Sequence, residues 1–323
     1  MSKFELINPS EKMQRNIIPY VTFPIINKCN LKCQYCGEAG EMTISDQDCF
    51  SVDEIRAWVT AAENLGIQKF RITGGEPLLH PDFRTIIFDV MKNARQVLIN
   101  TNGTLLLEKE DMWRDSPVNC KYVVNFHGIS EDTYNAITGT KGYFPTLKAG
   151  IEKLAHEQLL HRLNIVICHE NYDELFDVID YCRSIGTDLK IQDIVSVPWQ
   201  YNEWKTIYYD TSKIEKELEQ YASYITDHKY ARGFGTPTKI YTIDGVNVTF
   251  KSVRNGSHYE MEEICNNCKY FPCHEGIYDL FVFPGGKACA CNWTDIGSAK
   301  GDTPTEKIQD LIPKFQKTTF RDR

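Results

Sequence analysis

The stretch Tyr20-Val-Thr-Phe-Pro-Ile-Ile26-Asn-Lys-Cys29-Asn-Leu-Lys-Cys33-Gln-Tyr35-Cys36 joins an apolar run to a loop that carries three cysteines. A short apolar run rich in β-branched and aromatic residues reads as a buried strand. Further on, Lys69–Thr73 reads as a second strand and passes directly into Gly74-Gly75-Glu76-Pro77. Four more strand candidates follow: Val97–Thr101, Tyr122–Phe126, Leu163–Ile167 and Asp188–Ile194. Between the strands, Val52–Leu65, Asp82–Ala94, Phe144–Glu157 and Tyr172–Ile185 carry apolar residues at helical spacing. Ser51 and Asn171 stand where N-caps belong, and Gly66 and Gly186 where helices stop. Alternating strands and helices predict a parallel sheet. Six such units suit an α/β fold, a partial (β/α)6 TIM-like barrel open on one side. In parallel barrels chemistry gathers at the C-terminal ends of the strands, where the cysteine loop and the Gly-Gly-Glu-Pro segment both fall.

After residue 195 the pattern changes. Thr211–Tyr224 reads as a further helix, and Lys239–Val253 as a hairpin around Asp244-Gly245, a type I′ turn signal. Five cysteines follow between 265 and 291. These features divide the chain into a barrel over residues 1–197 and a C-terminal extension over 198–323 that holds the second cysteine group.

The 323 residues are 42% hydrophobic and 25% charged, which suits one large domain with an extension. A net charge of −8 and no long basic run argue against a nucleic-acid partner. No apolar run reaches the roughly 18 residues of a membrane span, and the N-terminus has no signal-peptide core. A cytoplasmic protein with no membrane partner is expected. Twelve cysteines without an export signal point to metal or redox chemistry, not disulfides. Cys49, Cys120, Cys168 and Cys182 are scattered and read as small hydrophobes.

Three closely spaced thiols can ligate three irons of a [4Fe-4S] cluster and leave the fourth iron open. An open metal position can bind and activate a small molecule. Structural zinc requires four ligands, and Cys29, Cys33 and Cys36 supply three. In the second group, Cys265, Cys268 and Cys273 with Cys289 or Cys291 could close a second [4Fe-4S] cluster. Zinc held by two cysteine pairs, or a three-thiol cluster with an open iron, are the alternatives there. Gly74 and Gly75 permit close backbone approach, and the Glu76 carboxylate can accept hydrogen bonds from an ammonium group. Asn102, Asn125 and His127 occupy barrel-top positions. Lys69, Arg71, Arg162 and Lys190 project from strands, and four cations at one barrel mouth favour a phosphate or carboxylate. The alternative is that Arg71 serves the cluster and Lys69 is solvated.

The Cys-x3-Cys-x-aromatic-Cys loop, with Tyr35 at the aromatic position, resembles the defining motif of the radical S-adenosylmethionine (SAM) superfamily. The resemblance implies that the open iron chelates SAM. One electron then cleaves a carbon–sulfur bond, and the resulting 5′-deoxyadenosyl radical abstracts a hydrogen atom from substrate. It implies that Gly74, Gly75, Glu76 and Pro77 hold the methionine amino group, that Tyr35, Asn102 and Asn125 contribute to the SAM site, and that flavodoxin or ferredoxin supplies electrons. The spacing from Cys273 through Gly286 to Cys291 resembles the opening of the auxiliary-cluster regions called SPASM and twitch.

Within the superfamily, roughly residues 15 to 295 resemble the GTP 3′,8-cyclases of molybdenum cofactor biosynthesis. Lys69-Phe-Arg71-Ile-Thr-Gly-Gly-Glu-Pro and Arg162-Leu-Asn164 match that pattern, and Lys190 stands at the position of a nucleotide-binding Arg. The departures are specific. Thr22 replaces an Arg before the cysteine loop, an Asn-Arg-x-Arg after the second auxiliary Cys is absent, and the chain ends Arg321-Asp-Arg323, not Gly-Gly. Loss of three guanidiniums makes GTP an unexpected substrate. The resemblance implies a substrate site at Lys69, Arg71, Arg162, Asn164 and Lys190, and a small sugar-, nucleoside- or nucleotide-like metabolite that is cyclised, epimerised, dehydrogenated or decarboxylated. Whichever of Cys289 and Cys291 does not ligate the second cluster is a candidate hydrogen-atom donor. Peptide modification is the second enzymatic reading, although no leader-binding domain precedes residue 15. A non-catalytic metal-binding scaffold is the third, with intact Glu76 and loop cysteines against it.

Overall fold

The computed structural model describes residues 4–6, 20–36, 49–194, 201–227, 239–251, 258–260, 265–268, 277, 279–291, 297–316 and 319–321. After a short strand β1 (Phe4–Leu6) come β2 (Val21–Pro24), β3 (Lys69–Thr73), β4 (Gln96–Thr101), β5 (Cys120–Asn125), β6 (Leu160–Val166) and β7 (Asp188–Gln192). These last six are neighbours in chain order and all parallel. Sidedness follows from alternation along each strand. In β3, Phe70 and Ile72 are fully buried in the main core, whereas Lys69, Arg71 and Thr73 are half-buried and face the barrel lumen.

The sheet does not close, because β2 and β7 each take a new partner from the C-terminal third of the chain. β12 (Leu280–Phe283) adds to β2 in parallel, with Leu280 opposite Val21 and Phe281 opposite Thr22. β10 (Val246–Lys251) adds to β7 in parallel, with Thr249 opposite Lys190. β9 (Lys239–Ile243), β8 (Tyr224–Asp227) and β1 extend the β10 edge, and β13 (Lys287–Cys289) extends the other. The result is a twelve-stranded sheet around the expected open α/β barrel. A separate ribbon pairs β11 (His258–Glu260) with β14 (Thr319–Arg321). The sequence boundary at 197/198 lies outside the described residues.

Local signals explain the element ends. The Ser51 hydroxyl accepts from the Glu54 amide and caps the helix Val52–Asn64. Gly186 ends the helix Leu175–Ile185 in the left-handed region, at φ 68°. Asp244 and Gly245 both have positive φ, as a type I′ turn requires. The helix Ser212–Tyr221 lies inside the range expected from Thr211–Tyr224.

Several elements differ from expectation, three of them instructively. Residues 82–94 form a three-residue turn and then a π segment, Ile86–Val90, in place of a regular helix. Ile86, Ile87, Val90 and Met91 are all buried, and the wider turn, closed by the Met91 amide on the Ile86 carbonyl, brings both adjacent pairs to the core. Asn171 stands at the N-cap position of a 3-10 turn, Tyr172–Glu174, that runs directly into the α-helix, but its side chain makes no cap hydrogen bond. Its side chain donates to the carbonyls of His127 and Val166 and accepts from the Cys168 amide, so the helix starts later, at Leu175. A helix over Glu131–Thr138, capped by Ser130 and stopped by Gly139, escaped the sequence reading. No helix among the described residues is long and apolar enough to cross a membrane.

Candidate active site

The cysteine loop leaves β2 at the C-terminal end of the barrel, as expected for a barrel active site. Cys29 and Cys36 are exposed, Cys33 is half-buried, and none of the three is in a disulfide. The loop is docked by backbone contacts. The Gly75 amide donates to the Ile26 carbonyl at 2.7 Å and the Glu76 amide to the Lys28 carbonyl at 2.9 Å. A Cβ at Gly75 would lie 2.3 Å from the Lys28 oxygen, and one at Gly74, where φ is +141°, 2.2 Å from the Ile26 oxygen. The glycines therefore admit the cysteine loop itself, not a ligand, at these Cβ positions.

Glu76 has contacts within the protein that the sequence did not show. Its carboxylate is fully buried and accepts from the Leu78 amide, the Thr101 hydroxyl and the Asn102 amide at 3.0, 2.7 and 2.7 Å. Burial raises it to about 7 against the pull of these three donors. Glu76 thus ties the end of β3 to the end of β4 from inside. Pro77 begins the short turn that this carboxylate caps.

Asn102 carries the tie onward to the loop. Its amide nitrogen donates to the Asn30 side chain at 2.9 Å and approaches the Cys29 sulfur at 3.7 Å, while its oxygen accepts from Thr104. Tyr35 reaches down to His127 at the end of β5, with the hydroxyl 2.6 Å from Nε2. Burial lowers His127 to about 4, so it is neutral, and its Nδ1 has no partner. Asn125 is half-buried, one residue from Phe126 at the barrel top. Glu174, unnoticed in the sequence, clamps the segment after His127 by accepting from the amides of Ile129 and Ser130 and the hydroxyls of Ser130 and Thr133.

The donor set fits an iron–sulfur cluster. Among the described residues no three His, Cys, Asp or Glu side chains converge to hold one metal ion. A cubane needs something else, three thiolates that each take a different iron. Burial, with the neighbouring Cys36 and Cys29, pushes the Cys33 thiol up to about 12, and only a bound metal would make it a thiolate near neutral pH.

The substrate residues read from sequence separate into two groups. Lys69 lies at the start of β3, away from the loop end, with its ammonium 5.8 Å from the Tyr20 ring. Arg71 stacks on the same ring at 4.7 Å and forms an ion pair with Asp279. Arg71 is thus not one of four unengaged cations, because a carboxylate from just before β12 already holds it. Sequence reading missed Asp279. Its only signal was a charge directly before the apolar run Leu280–Phe283. Arg162 differs. It donates to the Asn164 side-chain oxygen at 3.1 Å and lies 3.3 Å from His161 Nε2, and no described carboxylate forms an ion pair with it. Burial and the like charge of Arg71 lower it to about 10, still cationic at neutral pH. Asn164 lies opposite Lys190 in the sheet.

In the second cysteine group, Cys265 and Cys291 are half-buried at the margin of the main core. The Cys268 amide donates to the Cys265 carbonyl at 3.1 Å. Cys273 lies outside the described residues. Cys289 is fully buried in a small cluster with Phe281 and Phe283. It pairs across the strands with Phe281, so the two share a sheet face.

Comparison with known proteins agrees with this geometry. The radical SAM superfamily profile matches residues 23–182. A probable GTP 3′,8-cyclase of Methanothermobacter marburgensis is 31% identical over 297 residues, covering 89% of this chain and 90% of that protein. One of Methanocaldococcus jannaschii is 28% identical over 293 residues, covering 90% of each. Among solved structures, SuiB of Streptococcus suis bound to the precursor peptide SuiA superposes with a TM-score of 0.65 at 15% identity, over 93% of this chain and 66% of SuiB. The enzyme anSMEcpe with bound AdoMet gives 0.56 at 14% identity, over 93% of this chain and 80% of that one. At such identities these structures attest the fold alone. The cysteine loop, its docking segment and relatives of this identity and coverage agree that the chain belongs to the radical SAM superfamily, enzymes that work with SAM and a [4Fe-4S] cluster.

Proposed function

We propose that this enzyme abstracts a hydrogen atom from a small, anionic, nucleoside- or nucleotide-like metabolite bound in the barrel lumen. The observation that carries the reading is Arg162, a half-buried guanidinium with no ion-pair partner within contact distance among the described residues, facing the same lumen as the cysteine loop and with only the charge of Asp188, opposite it in the sheet, to favour its own. Curated relatives named as probable GTP 3′,8-cyclases support the nucleotide-like class. Cys29, Cys33 and Cys36 hold the cluster, and the carbonyls of Gly74 and Gly75 accept from the SAM ammonium. Tyr35, Asn102 and Asn125 line the SAM site. When bound, the cluster and SAM supply reductive cleavage of a carbon–sulfur bond and hydrogen-atom abstraction. The chain's own residues position the loop, through Glu76, Asn102 and the Tyr35–His127 contact, and hold the substrate anion at Arg162 with Asn164 and Lys190.

A second cluster is assigned to Cys265, Cys268, Cys273 and Cys291, in a C-terminal region beginning near residue 198. Cys291 is the favoured fourth ligand because, like Cys265, it is only half-buried, whereas Cys289 is fully buried beside Phe281 and Phe283. Cys289 is then the spare thiol, suited to return a hydrogen atom to substrate, and a flavodoxin or ferredoxin is the proposed electron donor. Iron analysis of anaerobically reconstituted protein tests this. The wild type should hold about eight irons, and Cys291→Ala about four fewer, while Cys289→Ala retains all. A wild-type content of about four irons, or equal iron loss in the two variants, would overturn the assignment.

A further inference from the structure

Asp279 is a carboxylate with 1% exposure inside an enzyme barrel. It stands immediately before β12, and the Leu280 amide donates to the Tyr20 carbonyl, which fixes the strand beside β2. The Thr22 hydroxyl donates to Asp279 Oδ2 at 2.8 Å, and the same oxygen pairs with Arg71. Lys190 of β7 and Lys251 of β10 also face Asp279 closely enough to favour its charged form, against a burial penalty that raises its pKa. Four strands of the barrel thus direct groups at one carboxylate that the C-terminal region supplies.

We propose that Asp279 sets the substrate charge that the barrel accepts: its carboxylate takes the place of a substrate phosphate at Arg71, so that the lumen admits a substrate with one anionic group, held at Arg162, and rejects a polyphosphate. This rests on the reading of the lumen as the substrate site. The guanidinium fork of Arg71 would suit a phosphate, but a phosphate could engage it only by displacing Asp279. The displaced carboxylate would then stay buried, without its guanidinium partner and beside further negative oxygens. Both the lost partner and the like charge oppose that exchange. Such built-in repulsion discriminates between ligands as effectively as a new attraction does. Arg162 presents the opposite case: its hydrogen-bond partners, Asn164 and His161, carry no negative charge at neutral pH, and Asp188, opposite it in the sheet, favours its charge without forming an ion pair with it. One carboxylate or phosphomonoester there completes an ion pair and disturbs none.

The test uses reconstituted holoenzyme and two probes, inorganic tripolyphosphate and inorganic phosphate, titrated by calorimetry at fixed salt. Asp279→Asn keeps the size of the side chain and an acceptor for Thr22, and Asp279→Ala removes both, so thermal melts of the pair separate a charge effect from misfolding. Tripolyphosphate should bind Asp279→Asn and Asp279→Ala about tenfold or more tighter than wild type, the size of one charge-assisted contact. Adding Arg71→Ala to Asp279→Ala should abolish the gain. Phosphate should bind wild type and weaken in Arg162→Ala. If phosphate behaves so but tripolyphosphate binds wild type and both Asp279 variants equally, the proposal fails and the lumen reading survives. If neither probe binds any of these proteins, the lumen reading falls and the proposal with it.

Discussion

Glu76 shows how a residue can be found in the sequence while most of its contacts are not. Its place in Gly-Gly-Glu-Pro suggested an acceptor for SAM, yet both carboxylate oxygens take donors from the protein. Those donors come from β4 and the turn after β3, contacts that the sequence around Glu76 does not encode. Burial raises the folded-state pKa from the usual 4.5 to about 7. The sign then follows. A group whose pKa is raised on folding favours the folded state most where it is protonated in both states, below about 4.5. That advantage is lost as pH climbs to about 7. The loss is about 3 kcal/mol, at roughly 1.4 kcal/mol per pH unit. Chemical denaturation across this range should show wild-type stability falling relative to Glu76→Gln, with the difference constant above about pH 7. Parallel curves for the two proteins would show that the carboxylate is ionised throughout.

The contact between the Gly-Gly-Glu-Pro segment and the cysteine loop is the element on which the site depends. Gly75→Ala places a methyl 2.3 Å from the Lys28 carbonyl and 2.4 Å from that of Asn27, so the loop must shift. Overpacking of this kind costs about 1–3 kcal/mol, and here it also displaces the loop that ends at Cys29. Gly75→Ala should therefore lower both the melting temperature and the iron retained after reconstitution, whereas Gly66→Ala, with open space around the Cβ, should show only the backbone strain of its positive φ. Iron content equal to wild type in Gly75→Ala would refute this coupling. Elements defined by local signals were legible in the sequence: β3 coincides with its reading because its alternation is complete, and Ser51, Gly186 and Asp244-Gly245 mark their boundaries by their own chemistry. What depends on distant partners was not. The π segment answers to the core packed on it, Asn171 to the carbonyls of His127 after β5 and Val166 in β6, and Asp279 to an arginine 208 residues away.

At the scale of the molecule, the C-terminal third of the chain is woven into the barrel sheet. β10 and β12 each extend an edge of the six parallel strands, and β12 carries Asp279 toward Arg71 and Phe281 opposite Cys289. The parts proposed to generate the reactive species, to select the substrate and to return a hydrogen atom therefore share one sheet, although they lie far apart in sequence. The six strands were readable because each carries its own apolar pattern. The two flanking additions were not, since strand order at a sheet edge is set by long-range pairing. Whether the loop of Cys29, Cys33 and Cys36 holds a cluster that cleaves SAM is decided by incubating anaerobically reconstituted, reduced protein with SAM and measuring 5′-deoxyadenosine. The wild type should form it and the triple Cys29→Ala/Cys33→Ala/Cys36→Ala variant should form none above the protein-free background. Equal formation by the two proteins, or none by a wild type shown to carry its full iron, would contradict that role of the loop.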